Sequence, residues 1–287
     1  MAIFSFIASL FGGGIKKPVY ENLSNVAYGT HQRQVVDIGF PSDVTGDVSL
    51  VLYIHGGGWV EGSKDMYRDN VFNGCPSAGI VGAALNYRYI SQTVHMNDLL
   101  DDITSCLATV KAEAAKRNMN VNKVLFTGSS AGAHLSLLYA YSRKAESPVE
   151  PVAVVSYCGP TNLASEDFIT GIGPQYLDYM CTLFSYVTGM TVTPDLIRSP
   201  ELIAKLKEFS PLTYVDENTV PTVICHGMKD DVVPYSNAVE LDAALTQAGV
   251  THRFISYPNS GHGLDKDPTD QKIGVDLLYE YALTYLR

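Results

Sequence analysis

The run Val48–Ile54 (VSLVLYI) is apolar at every position but one. A strand with one wet face alternates apolar and polar residues, so a run with this little polarity must be covered on both sides. That demands a sheet with helices above and below it. Further strand-like runs at Val35–Gly39, Ile80–Leu85, Lys123–Phe126, Val152–Tyr157, Thr222–Cys225 and Arg253–Tyr257 alternate with helical patterns at Asp98–Arg117, Ala131–Ser142, Ser236–Gln247 and Asp270–Arg287. In Asp98–Arg117, Leu99, Ile103, Cys106, Leu107 and Val110 repeat at helical spacing, with acids at the start and bases at the end. Strands joined through helices of this length cross over right-handedly, giving a mostly parallel, doubly wound α/β sheet.

The 287 residues fit one such domain, over residues 20–287, with an insertion at about 161–220. That stretch lies between two strand candidates and is rich in Tyr, Phe, Met and Pro (Phe168, Tyr176, Tyr179, Met180, Phe184, Tyr186). An ordinary connection takes about 2 to 6 residues. The insertion is therefore expected to form a helical lid over the carboxyl ends of the strands, where open α/β sheets bind ligands. Residues 1–15 (MAIFSFIASLFGGGI) carry no charge, and Lys16 and Lys17 follow them. As a helix they span about 22 Å, short of a bilayer's roughly 30 Å core. A cap docked over the protein's own pocket, an interfacial anchor and a partner contact, a homodimer seal included, are the three readings. The cap is preferred, and membrane contact is not favoured.

Thirty acids against twenty bases give a net charge of −10, which repels polyanions and excludes nucleic acid as an expected partner. With 46% hydrophobic and only 17% charged residues, intrinsic disorder is excluded as well. Five widely spaced cysteines without a CxxC pair read as buried free thiols, hence a cytoplasmic protein with no metal.

Gly128-Ser129-Ser130-Ala131-Gly132 fits G-x-S-x-G. Such a match arises by chance in roughly one chain in ten of this length. Here KVLFT precedes it as a strand and AHLSLLYAY follows as a helix, the strand–turn–helix that a nucleophile elbow needs. Ser130, at the centre, is the expected nucleophile, and Ser129 is the decoy. His55-Gly56-Gly57-Gly58-Trp59 follows VSLVLYI. Three glycines in succession are entropically costly unless the backbone must turn its N–H groups to one point, as an oxyanion requires. No phosphate-loop pattern competes, since neither GxxxxGK[ST] nor GxGxxG occurs here. A serine needs a base, and the base needs an orienting group. Of seven histidines, His262 in Ser260-Gly261-His262-Gly263 sits in a loop between the last strand and the last helix. His55 reads as a loop organiser, His134 as a packing or capping residue and His252 as the start of a strand. The acid lies in His226-Gly227-Met228-Lys229-Asp230-Asp231, where local spacing does not separate Asp230 from Asp231.

HGGGW, GSSAG, HGMKDDVVP and SGHG, in that order, resemble the α/β-hydrolase carboxylesterases with an HGGG oxyanion motif. These include hormone-sensitive-lipase-like esterases and the smaller bacterial feruloyl- and acetyl-esterases. The resemblance runs from about Tyr20 to the C-terminus, and its apolar N-terminus departs from the longer cap of the larger lipase-like members. It implies an α/β-hydrolase fold, the chain order Ser130, Asp230, His262 and the choice of Asp230 over Asp231. It also implies oxyanion donors at Gly57, Gly58 and Ala131, with Trp59 against substrate and no cofactor. The implied activity is hydrolysis of short-chain acyl or aryl (hydroxycinnamoyl included) small-molecule esters through an acyl-enzyme. A kynurenine formamidase, whose family shares HGGxW, is the alternative, ahead of a non-catalytic binding protein of the same fold.

Overall fold

A computed structural model describes residues 20–170 and 173–286. Eight strands form one sheet in the order β1-β2-β4-β3-β5-β6-β7-β8. They are β1 (Glu21–Ala27), β2 (Val35–Phe40), β3 (Gly46–Ile54), β4 (Val81–Asn86), β5 (Met119–Ser129), β6 (Glu150–Tyr157), β7 (Thr222–Gly227) and β8 (His252–Tyr257). From β4 to β8 every neighbouring pair is parallel, whereas β1 and β2 run antiparallel at one edge.

β3 shows why its sequence has so little polarity. Leu50, Leu52 and Ile54 pack into one core, and Val51 and Tyr53 into another on the opposite face. The first core is closed by α1 (Met96–Ala115), α2 (Ala131–Ser142) and, farther along the chain, α5 (Ser236–Gln247); the second by α6 (Pro268–Tyr285) and residues 71–75. All five cysteines are buried free thiols. Among the described residues, no helix is long and apolar enough to cross a membrane.

The segment around residues 161–220 carries α3 (Leu177–Thr188) and α4 (Pro200–Glu208). α3 turns Met180, Leu183, Phe184 and Val187 inward. Ser199 caps α4, its Oγ accepting from the Leu202 amide, with Pro200 at the first helical position, where a missing N–H does no harm.

Three sequence expectations need correction. α1 starts at Met96 rather than Asp98, because the His95 amide donates to Asp98 Oδ2 (2.8 Å), making Asp98 the third residue of a capping box. β1 (ENLSNVA) was not expected: it is an edge strand, mostly exposed, without apolar alternation. Short helical turns over residues 64–77 were likewise not anticipated. The cap, anchor and partner readings of residues 1–15 fall outside the described residues. β1 itself begins with Glu21 opposite Phe40, while Ala27 pairs with Val35, itself opposite Asn86 at the carboxyl end of β4. Residue 20 therefore stands at the end of the sheet away from the carboxyl termini of the parallel strands.

Candidate active site

The carboxyl ends of β3, β5, β7 and the loop after β8 converge. At the end of β5, Ser130 adopts φ 54°, ψ −125°, a conformation L-residues avoid. It persists because the turn is held on all sides. The Ser130 amide donates to Tyr157 O (2.8 Å), and Ser130 O accepts from the His134 amide (3.0 Å). A Cβ on Gly128 or Gly132 would lie 2.4 or 2.0 Å from Ile54 O, so only glycines let the elbow seat against β3. Ser129 points elsewhere, its Oγ 3.3 Å from the Tyr67 hydroxyl.

Asp230 separates from Asp231 by geometry. Its Oδ1 accepts from the Val232 and Val233 amides, both at 2.9 Å, and its Oδ2 accepts from His262 Nδ1 at 2.8 Å. Burial pushes its carboxyl up, but hydrogen bonds from His226 and His262 and from the Val233 amide outweigh it and hold the group well below the usual carboxylate range. Because a carboxylate only accepts, His262 carries its proton on Nδ1 and leaves Nε2 free. Ser130 and His262 both line a cleft of about 930 Å³, shared with Gly57 and Gly58. Asp231 is exposed and faces a second cavity.

Sequence reasoning did not single out His226. It is fully buried, its Nε2 3.0 Å from Val233 O and 3.3 Å from Asp230 Oδ2. A carbonyl also only accepts, so Nε2 bears the proton and fastens both ends of the loop that presents Asp230. Cys158, His226 and Asp230 place three donor atoms within 4.8 Å of one another. Burial pushes the Cys158 thiol up, His226 Nε2 is engaged with Val233 O and the Asp230 carboxylate with His262, while His226 Nδ1 meets no hydrogen-bond partner among the described residues.

Gly57 and Gly58 have positive φ (111° and 55°), and neither amide meets an acceptor among the described residues. Ala131 opens α2, where a helix leaves its first amides without intrahelical partners. Trp59 also has positive φ (64°) and is 3% exposed. It walls the second cavity, and its indole N–H donates to His134 Nδ1 (3.3 Å). His134 Nε2 donates in turn to Phe209 O (2.8 Å), just after α4, so this histidine ties the glycine loop to the insertion. The second cavity, about 540 Å³, meets the first at Gly58, Ser130 and Val232. Phe168, Tyr176, Tyr179, Met180 and Leu183 from the insertion form its walls.

A parallel sheet with an antiparallel edge, a serine on a strained strand–helix turn and a histidine–aspartate pair from later strands define an α/β hydrolase. Residues 36–245 match the BD-FAE family model, and the chain belongs to that family of α/β-hydrolase carboxylesterases. It is 26% identical over 266 residues to Esterase LipC of Mycobacterium tuberculosis, covering 88% of this chain and 62% of LipC. To a probable isoprenylcysteine alpha-carbonyl methylesterase of Oryza sativa it is 25% identical, covering 84% of this chain and 58% of that protein. The chain thus spans about three fifths of these two relatives. Among solved structures, a truncated carbohydrate esterase from gut microbiota superposes with a TM-score of 0.69 at 22% identity, over 95% of this chain and all of that one. A Thermogutta terrifontis esterase superposes at 0.69 and 20% identity over 93% of this chain and 92% of its own; its tabun-phosphoramylated form gives 0.67 at 20% identity, over 94% and 96%.

Proposed function

We propose that the protein is a serine carboxylesterase, with Ser130 as nucleophile, His262 as base and Asp230 as the group that orients the base. The observation that carries this reading is the 2.8 Å His262–Asp230 hydrogen bond, which leaves Nε2 bare on the cleft onto which the Ser130 elbow opens. His262 Nε2 takes the Ser130 proton as Oγ attacks the ester carbonyl. The oxyanion is held by the Gly57, Gly58 and Ala131 amides, each such donor typically stabilising the transition state by about 3 to 4 kcal/mol. His262 then gives its proton to the leaving alcohol, and the same base activates water to release the acid.

The proton donor fixes which half of the substrate lies where. His262 lines the 930 Å³ cleft and not the smaller cavity, so the alcohol leaves through the former. The acyl group then occupies the 540 Å³ cavity, whose aromatic and thioether walls suit an aryl or short-chain acyl group, hydroxycinnamoyl included. Among the described residues, neither cavity is lined by Lys or Arg, and each holds a carboxylate, Glu61 in one and Asp231 in the other. The α-carboxylate of N-formylkynurenine finds no cationic partner there, which favours the ester reading over the formamidase.

The test compares p-nitrophenyl acetate, methyl ferulate and N-formylkynurenine on the wild type and on Ser130→Ala. The expected result is ester turnover that falls by several orders of magnitude in the variant at unchanged melting temperature. Full ester hydrolysis by Ser130→Ala, or a preference for the formamide, overturns the proposal.

A further inference from the structure

Gly57 and Gly58 of the oxyanion loop have positive φ, and contacts from groups outside the HGGGW motif converge on Arg33 in the β1–β2 connection. Its Nε donates to Tyr87 O (2.9 Å). One Nη donates to Gly62 O (3.2 Å) and lies 3.2 Å from His55 Nε2. The guanidinium stacks 3.6 Å over the Tyr89 ring, and the Tyr89 hydroxyl donates to the same Gly62 O (2.6 Å). One side chain therefore grips residues 55 and 62, the two ends of the loop that contains Gly56, Gly57 and Gly58.

A guanidinium has no acceptor, so His55 Nε2 must accept from Arg33, and the ring proton sits on Nδ1, which donates to Gly56 O (2.7 Å). Tyr87 stacks on the imidazole at 4.2 Å and donates its hydroxyl to His55 O (2.9 Å). Gly62, at φ +97°, completes the closure: a Cβ there would lie 2.3 Å from Gly56 O and 2.6 Å from His55 Nδ1. Burial, aided by the facing Arg33 charge, lowers the His55 imidazole to about 4, so the ring stays a neutral relay at working pH.

From this network we infer that Arg33 is a positioning residue for the oxyanion hole: a clasp that fixes His55 in one tautomer and closes the glycine loop so that the Gly57 and Gly58 amides face the reacting carbonyl before substrate arrives. The inference rests on the esterase reading for its kinetic consequence. Its structural content stands apart, because three successive glycines without a clasp sample many backbone conformations.

Two readouts test it. Trp59 is the protein's only tryptophan, directly follows the glycines and is buried, so its emission reports the loop without reference to activity. In Arg33→Ala the emission is expected to shift to the red and become accessible to acrylamide. Hydrolysis of p-nitrophenyl butyrate should lose about 10- to 100-fold in kcat, with KM held within about threefold, because a displaced donor is missed in the transition state more than in the ground state. Arg33→Lys, which keeps the charge but not the fork, should recover only part, and guanidinium ion, unlike sodium chloride, should partly restore Arg33→Ala. If Arg33→Ala fails to fold, Tyr89→Phe removes one of the two donors to Gly62 O and should give the same split at a smaller scale.

Unchanged Trp59 emission in a folded variant overturns the clasp, and so does a wild-type kcat or a loss confined to KM. Failure of the esterase reading looks different: Ser130→Ala would keep turnover, while the Trp59 signal would still judge the clasp.

Discussion

Replacing Gly132 by alanine isolates the fit between the elbow and the sheet. Alanine is the better helix former by about 1 kcal/mol, and Gly132 lies in the first turn of α2, so propensity alone predicts a more stable protein. Packing predicts the reverse. The added Cβ would stand 2.0 Å from Ile54 O and 2.6 Å from His55 O, both backbone atoms at the end of β3 that cannot rotate aside. Reaching even 3.0 Å, below which such contacts essentially never occur, moves α2 by about 1 Å. Overpacking of this kind typically costs about 1 to 3 kcal/mol. After the propensity gain a net loss of up to about 2 kcal/mol remains, lowering Tm by up to about 3 °C in a chain of this size. The kinetic effect is sharper, because the shift carries Ser130 away from the Gly57 and Gly58 amides and from His262. A misplacement of about 1 Å costs on the order of 100-fold. Melting curves and p-nitrophenyl acetate hydrolysis measured side by side provide the assay. A Gly132→Ala protein with wild-type kcat and a raised Tm would refute the close seating of the elbow on β3 as the reason for that glycine.

Two further outcomes follow from buried groups. Burial holds the His134 imidazole at about 4 against its ordinary 6.5. Between those values the unfolded chain binds a proton that the folded one refuses, so stability declines as pH falls from 6.5 to 4. His134→Gln should flatten that stretch of the Tm-against-pH curve, and an unaltered slope would show that His134 titrates normally. In the cavity proposed for the acyl group, Leu183→Trp should lower turnover of methyl ferulate relative to p-nitrophenyl acetate by at least about tenfold. Equal losses on both would place the aryl group elsewhere.

Much of the scaffold could be read from residue patterns alone. VSLVLYI announced a strand covered on both faces, and the bounds of α2 and α5 match the helical runs expected from sequence. Those features are local: apolar spacing and turn chemistry encode them within a few residues. What escaped depends on distant partners. Asp230 and Asp231 are adjacent and chemically identical, so spacing alone does not separate them; the family motif selects Asp230, and the partner that distinguishes it, His262, lies 32 residues on. Arg33 sits in a polar stretch, and the carbonyls it binds lie 29 and 54 residues away. Lys64 is 2% exposed and paired at 2.9 Å with buried Asp37, because residues 64–77 fold back over β2 and β4. β1 carries no apolar alternation because its side chains are mostly exposed, so its pairing with β2 supplies the only signal.

The antiparallel edge brings residue 20 to the sheet's far end, and Leu286 lies there as well, its carbonyl taking the Ser49 hydroxyl near the start of β3. A tether at either position would hold the molecule by its base and leave the mouth of the cleft turned outward. Immobilisation through these ends is therefore compatible with bulky, surface-bound esters, which coupling through residues of the insertion would obstruct.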